Sequence, residues 1–487
     1  MLFMSRRRLS GPAVFILNTI SIVALLYSSL HLLKKIVVFK QQPEQALSGD
    51  ICPASCLNDD LAPEPIVEAT PTSYSSAVEA TPTLKPWDSS YYVQGTPGEN
   101  FRDNLRDDKS YLTAWCLGGF TNLYMCQVNL IYLGIISDRI PVLPPFSPSH
   151  HVTGVIAFGD VFNLKHLRDV LQLPVIEWSD IKTPLKKLGD PDASWEKIGC
   201  WSVRSRDVNE PSPDYNFARA LALDASYTRV PDLMYRSSNL DEGHTNFWNL
   251  ASLIYPVQPA FQDQTFPLLK ASAKGEREPP DRHLACFDTL YYVGSGAETF
   301  EWNHPWSPAW RTVGKHLRFS EHMERLGKEY ASKVFDVAPD QLPPFIAVHI
   351  RHGDFKGNCW ATKDIKECYA NLPAFVRRVE EVQEELREKL GLDVIHIIMS
   401  TDEKDEEFWE EVDFLGWGYI DHEQEGTIKT YGEWYGPIID IVIHSLAVGF
   451  VGTDGSTLSL VSGKRVEDWN NGVTRMVKWG YAGADNH

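Results

Sequence analysis

From Lys109 onward the chain alternates short apolar runs with stretches of helical period. Tyr111–Leu117 is apolar enough for a buried strand, Gly118-Gly119 marks a tight turn, and Leu123–Ser137 has the spacing of a helix. Ile140–Leu143 predicts the next strand, stopped by Pro144-Pro145. Phe162–Leu173 predicts a further helix and Pro174–Trp178 a strand. Residues 180–245 are rich in Pro, Asp and Ser, lack a clear period, and read as an insertion between core elements. The second half is more regular. FIAVHIR (Phe345–Arg351) is a continuous apolar strand that ends on a charge. Lys363–Leu390 predicts a helix whose Arg377, Glu380, Glu381, Glu384 and Glu385 form a solvated face. VIHIIMS (Val394–Ser400) is a second buried strand, Ile438–Ala447 a helix, Gly449–Gly452 a short strand, and Ser456–Ser462 the opening of another helix. Apolar strands alternating with helices predict parallel sheets covered on both faces. Two such α/β units in tandem would leave a cleft between them.

The N-terminal region follows a different pattern. Gly11 to Leu33 is 23 residues without Asp, Glu, Lys or Arg. As a helix it would extend about 34 Å, enough for a hydrocarbon core of roughly 30 Å. The apolar region of a cleaved signal peptide runs only about 7–15 residues. The longer run, followed by Lys34-Lys35 with no small-residue cleavage site, predicts an uncleaved anchor after a tail at 1–10. Arg6, Arg7 and Arg8 before the span nearly balance Lys34, Lys35 and Lys40 after it, so flanking charge does not set the orientation. Residues 34–107 read as a disordered stalk. This segment is rich in Pro, Thr, Ser, Ala and Glu, and VEATPT occurs at Val67–Thr72 and again at Val78–Thr83. Tail, anchor, stalk and lumenal body form the layout of a single-pass type II Golgi (or ER) membrane protein. The C-terminus carries no ER-retrieval signal, which favours the Golgi. No Asn-x-Ser/Thr sequon occurs.

Composition narrows the class. The chain of 487 residues has a net charge of −19 with its basic cluster confined to the first forty, so the body is strongly acidic. That argues against nucleic acid as a partner, because a phosphate backbone needs a basic footprint. Eight cysteines (52, 56, 116, 126, 200, 286, 359 and 368) in a chain with a secretory-pathway anchor fit disulfides. Cys116/Cys126 and Cys359/Cys368 are plausible local pairs, although spacing alone does not fix connectivity. No His/Cys group has the spacing of a zinc site, and no metal is expected.

Parallel sheets bind ligands beyond the carboxyl ends of their strands. Three candidate loops occupy such positions. CLGGFTN (Cys116–Asn122) has two glycines and leads into a helix N-terminus, which favours an anion. HIRHGD (His349–Asp354) places Arg351 at the end of an apolar strand. An arginine's planar fork suits a diphosphate, and Arg351 is also spaced to pair with Asp354. VGTDGSTLS (Val451–Ser459) puts Ser456 and Thr457 at the start of a helix, where they could cap it or bind phosphate. Asp190-Pro-Asp192 has the form of a metal-binding Asp-x-Asp but sits in the irregular stretch and reads as a loop. Trp302, Trp306 and Trp310 recur every four residues, a pattern that suits core packing or a stacking surface for sugar or peptide.

Taken in order, GGFTN, HIRHGD, STD (Ser400–Asp402) and FVGTDGSTLS resemble the motifs of the GDP-fucose protein O-fucosyltransferase superfamily, which includes relatives of the α1,6-fucosyltransferases. FGDVFNLKHL (Phe158–Leu167) is similar to that family's N-terminal lobe, and the resemblance covers roughly residues 110–465. It implies a GT-B-like α/β fold of two Rossmann-like lobes around a cleft, with 108–335 on the acceptor side and 336–487 on the nucleotide-sugar side. It also implies an inverting, metal-independent transfer of fucose from GDP-fucose to a hydroxyl of a protein Ser/Thr or a glycan, with no cofactor beyond the donor.

Carried over by position, Arg351 would hold the diphosphate and assist its departure, and Asn122 would lie near the reacting centre. His349 would approach the nucleotide, and Ser456 and Thr457 would contact phosphates. Gly118, Gly119, Phe120 and Asp354 complete the donor-binding set, with Asp402 and Asp440 assigned to guanine or to structure. Two departures stand out. Some relatives carry a glutamate in the glycine loop as a candidate base, whereas here Leu117, Gly118 and Gly119 offer no carboxylate. His352 stands where arginine is frequent. The alternatives are therefore a catalytically inactive GDP-sugar-binding relative, or a glycosyltransferase using another nucleotide sugar.

Overall fold

A computed structural model describes residues 89–147, 154–185, 193–204, 210–211, 215–234, 245–298, 300–359 and 364–486. The apolar span at 11–33, Cys52, Cys56 and Asp190-Pro-Asp192 lie outside the described residues. Among those described, no helix is long and apolar enough to cross a membrane.

Two sheets organise the chain. The first holds seven strands: β1 (Tyr111–Ala114), β2 (Ile140–Leu143), β3 (Ile176–Glu177), β4 (Glu196–Ser202), β5 (Leu223–Arg229), β6 (Leu268–Lys270) and β7 (Leu284–Phe287). Their order is β3-β2-β1-β7-β4-β5-β6, parallel throughout except for β6 at one edge. The second holds β8 (Phe345–Ile350), β9 (His396–Thr401), β10 (Gly418–Tyr419), β11 (Gly449–Thr453) and β12 (Val473–Val477). Its order is β10-β9-β8-β11-β12, and every pairing is parallel. Strand β8 is buried at all six positions, as its unbroken apolar run requires of a central parallel strand. Five helices matter below: α1 (Phe120–Ser137), α2 (Glu321–Val334), α3 (Leu372–Leu390), α4 (Tyr435–Leu446) and α5 (Thr457–Asn470).

Several expectations need correction. Residues 180–245 are not an insertion, because they supply β4 and β5 in the body of the first sheet. Their polar residues hid them. Asp224, Ser226 and Thr228 on β5 are buried. Partners come from a distant segment: Ser272 donates to Asp224 at 2.6 Å and Ser226 donates to the Glu278 carbonyl at 2.9 Å. Buried polar groups that find such partners cost little, so a strand can carry them. Strands β1 and β3 are shorter than expected, and Trp178 begins a helical turn instead of ending β3. The helix expected over 363–390 is broken. Ile365–Cys368 ends, and Asn371 caps α3 by accepting from the Ala374 N–H.

The stalk boundary at 107 also moves. Val93, Phe101 and Leu105 are buried against the first sheet's core, and Gln94 N–H donates to Asn104 O at 2.8 Å. A chain segment that buries such residues no longer behaves as a linker.

Cys116–Cys126 and Cys359–Cys368 are bonded, and Cys200–Cys286 joins neighbouring strands β4 and β7 across 86 residues of sequence. Closing a loop of that length removes much unfolded-state entropy. Replacing Cys200 and Cys286 together by alanine is expected to lower the unfolding free energy by roughly 2–5 kcal/mol. Denaturant titration of the oxidised protein measures this; an unchanged midpoint would show that the bond carries no such constraint.

Candidate active site

Arg351 is the first residue beyond β8, which lies between β9 and β11. The loops after these three strands therefore adjoin at the carboxyl edge of the sheet. Arg351 N–H donates to Thr453 Oγ1 at 2.9 Å, tying the β8 loop to the end of β11. Its guanidinium donates to Asp402, just past β9, and to Asp354 Oδ1 at 2.6 Å. The other Asp402 oxygen accepts from His352 N–H at 2.8 Å, so this carboxylate braces both backbone and side chain of the loop. Gly353 sits at φ +23°, and a Cβ there would come within 2.3 Å of the Asp402 carboxylate. Only glycine lets the loop approach Asp402 this closely.

The Arg351 side chain is 34% exposed and Asp354 72% exposed. An exposed pair of this kind is worth about 0–1 kcal/mol, so a better anion can displace Asp354. His352 serves the loop's own structure. It is buried, stacked on Tyr369 with centroids 4.3 Å apart, and paired with Glu403 at 2.6 Å. Burial raises the Glu403 pKa, but hydrogen bonds from His352 and from the Lys404 and Asp405 amides more than offset this and leave it lowered.

Beneath Arg351 lies His349, buried, with Nδ1 2.7 Å from Ser459 Oγ. Burial, helped by the charge of Arg351, pushes its pKa down to about 3. The ring is therefore neutral. Ser459 Oγ also accepts from Thr453 N–H at 3.1 Å, so this hydroxyl links the neutral ring to the end of β11. His444 lies behind it, ring centroids 5.8 Å apart, between Ser400 and Ser462, and burial depresses its pKa too.

The third loop caps α5. Ser456 Oγ accepts from Ser459 N–H, and Ser456 N–H donates back to Thr453 O at 3.2 Å. Thr457 Oγ1 then donates to Asn122 Oδ1 at 2.8 Å. Asn122 belongs to the first turn of α1, which starts at Phe120, three residues earlier than its pattern suggested. Gly119 adopts an extended N-cap conformation, and Gly118 at φ +132° makes the turn; a Cβ on Gly118 would meet Asn122 at 2.9 Å. The Cys116–Cys126 bond closes this turn from behind. One contact series thus runs Arg351, Thr453, Ser456, Thr457, Asn122. It brings the N-termini of α1 and α5 together beside a guanidinium. Helix N-termini present unsatisfied N–H groups and a partial positive charge, so this is a place for an anion of more than one charge.

Not every candidate joins it. Phe120 is core, packed against Phe146 at 4.5 Å and Trp434 at 6.2 Å, because the first apolar residue of α1 faces inward. Asp440 lies on α4 and pairs with His422 at 3.1 Å, in a cluster with Thr427 and Tyr330. Thr453, Ser459, Gly353 and Glu403 were missed. The hydroxyls of VGTDGSTLS were the available signal for the first two, but which of them would turn back toward β8 depends on sheet register. Among the described residues, no group of three or more His, Cys, Asp or Glu could hold a metal ion.

A cavity of about 1040 Å³ lies elsewhere, lined in part by Ser110, Arg139, Trp201, Phe261 and Arg282. Ser110 and Arg139 immediately precede β1 and β2, at the opposite end of the strands from ligand-binding loops. The Arg139 guanidinium is spent on backbone carbonyls, including those of Ile254 at 2.6 Å and Tyr111 at 2.9 Å. Despite its size, this cavity is not where the candidate chemistry gathers.

Residues 111–466 match the family model described as GDP-fucose protein O-fucosyltransferase. The chain belongs to this family. It is accordingly a fucosyltransferase-like glycosyltransferase. A search of curated proteins returns no match. Among solved structures, POFUT1 in complex with GDP is similar at 15% identity and TM-score 0.45, over 77% of this chain and 100% of that one. POFUT1 in complex with GDP-fucose gives 15% identity and 0.45, over 77% and 99%. Fucosyltransferase NodZ from Bradyrhizobium gives 13% and 0.35, over 73% and 92%.

The neutral His349 has a measurable consequence. An unfolded histidine titrates near 6.5, and the folded one near 3. Between those values the unfolded state takes up a proton that the folded state refuses. The stability is therefore full above pH 6.5 and lost as pH falls toward 3. Melting temperature followed over this window should fall less steeply in His349→Asn than in the parent; parallel curves would contradict the assignment.

Proposed function

We propose that this member of the family transfers fucose from GDP-fucose to a hydroxyl acceptor, with inversion and without a metal. The convergence of the α1 and α5 N-termini beside Arg351, joined by the Thr457–Asn122 hydrogen bond, carries this reading. On donor binding, Arg351 would exchange the exposed Asp354 for the diphosphate and keep Asp402 as its brace. Ser456, Thr457 and the first-turn amides of α5 would hold phosphate oxygens, and Asn122 would stand near the sugar. The acceptor oxygen attacks C1 of fucose while the bond from C1 to the β-phosphate oxygen breaks. The electron pair passes to the phosphate, which takes the acceptor's proton. A single displacement of this kind inverts the configuration. Arg351 and the two helix ends supply the positive charge that a metal would otherwise provide. Asp402 stays engaged by Arg351, and the glycine loop of Leu117, Gly118 and Gly119 carries no carboxylate, so the proton is assigned to the leaving phosphate. The acceptor is a protein Ser/Thr or a glycan. The apolar span at 11–33 and the Pro/Thr-rich stretch after it support a Golgi-anchored enzyme with a lumenal body.

Removing one preorganised donor from a developing anion costs about 2.7–4 kcal/mol, or 10²–10³ in turnover. Arg351→Ala should lose fucose release from GDP-fucose on this scale, with weaker GDP binding by calorimetry. Parent-level release and GDP affinity in this variant would reject the assignment. Tighter binding of UDP than GDP by the parent would instead favour another donor.

Asp354→Ala frees Arg351 from a competitor and should tighten GDP binding by about two- to fivefold, the worth of an exposed ion pair. A loss of GDP affinity would mean that Asp354 itself contacts the donor.

A further inference from the structure

The three tryptophans spaced by four do not share one fate. Trp302 and Trp310 are 2% and 1% exposed, whereas Trp306 is 38% exposed. Trp306 borders a cavity of about 300 Å³ formed where residues 305–315 meet the flank of α5. His304 stacks on the Trp306 indole at 4.9 Å and 13°, holding the ring in place. Polar groups line the same cavity. Lys464 is buried on α5 and donates to the His304 carbonyl at 2.9 Å. Trp310 donates its indole N–H to Asp468 at 2.5 Å, and Glu467 stands exposed beside it. Burial pulls the Lys464 pKa down to about 8, with Glu467 and Asp468 opposing the shift. Lys464 lies seven residues beyond Thr457, so the cavity sits about 10 Å along α5 from the proposed donor phosphates.

From this arrangement we infer a second ligand site, one that takes a pyranose ring of a glycan. Its apolar face would lie on the fixed Trp306 indole, and its hydroxyls would bond to Lys464, Glu467 and Asp468. The chemistry matches a sugar on both counts. An aromatic wall accepts the C–H face, while an ammonium and two carboxylates offer the donors and acceptors that hydroxyls need. The volume falls at the lower end of the range for small-ligand pockets, which fits a single ring. The site is built from residues 305–315 and the flank of α5 and contains none of the donor cleft's residues, so it stands apart from the donor reading.

The test is saturation-transfer NMR on the full-length protein with methyl β-glucopyranoside, methyl β-galactopyranoside and methyl α-mannopyranoside. At least one should receive saturation at its ring protons. Trp306→Ala should weaken that binding by roughly tenfold, the scale of truncating a central aromatic contact. Trp306→Phe should retain it, and Glu467→Ala should weaken it. GDP affinity, measured on the same samples, should be unchanged in all three variants and should not compete with the sugar. No transfer to any of the three glycosides, transfer that persists in Trp306→Ala, or displacement of the glycoside by GDP would each overturn the proposal. Loss of GDP binding by the parent protein would count against the donor reading alone.

Discussion

The guanidinium of Arg465 is buried between the two halves of the molecule, and much of the architecture depends on how that charge is accommodated. It leaves α5 among the rings of Tyr124 on α1, Phe319 and Trp469, with centroids 4.7, 4.8 and 5.5 Å away. Its Nε and Nη2 have no hydrogen-bond partner. Burial alone lowers its pKa. Such a charge is tolerable only where electron-rich faces surround it, and each ring adds attraction that strengthens as water is excluded. The arrangement fixes α5 against α1. Two helices so clamped present their N-termini side by side, and the Thr457–Asn122 hydrogen bond is the visible result.

Around that junction, charge is distributed by position. Cationic character collects at the surface of the cleft, in Arg351 and two helix ends. Below it the histidines are kept neutral by burial, so they serve as hydrogen-bond spacers and add no competing charge. His349 illustrates the arrangement: a protonated ring directly under Arg351 would repel the group that the site is built to present. Asp402 does the opposite work, holding the guanidinium in place from the side, while Asp354 holds it from solvent. One brace is partly sheltered and the other is free to leave, an asymmetry that suits an arginine meant to change partners.

Cavity volume and the chemistry do not coincide. The 1040 Å³ cavity is bounded by an arginine saturated with backbone carbonyls, whereas the cleft is defined by unsaturated helix ends and a half-exposed guanidinium. What marks the site is the pair of helix ends beside an arginine whose bond to Asp354 is exposed.

The parallel α/β character, Arg351 at a strand end and the three glycine- or hydroxyl-bearing loops were legible in the chain because each rests on local pattern. Continuous apolar runs mark buried parallel strands, and a charge after such a run has only the sheet edge to occupy. The family resemblance rested on the same short motifs. Strands β4 and β5 were illegible because their polar residues are satisfied by distant partners, as Asp224 is by Ser272 and Ser202 by Asp288. The Phe120 ring packs into the core, on the first turn of a helix that begins three residues earlier than its pattern suggested. For Asp440 the resemblance left guanine or structure open, and α4 turns it toward His422. Whether Thr457 could reach Asn122, 335 residues away, depended on how two helices pack around one buried guanidinium. No local pattern encodes that distance, because it is a property of the assembled core.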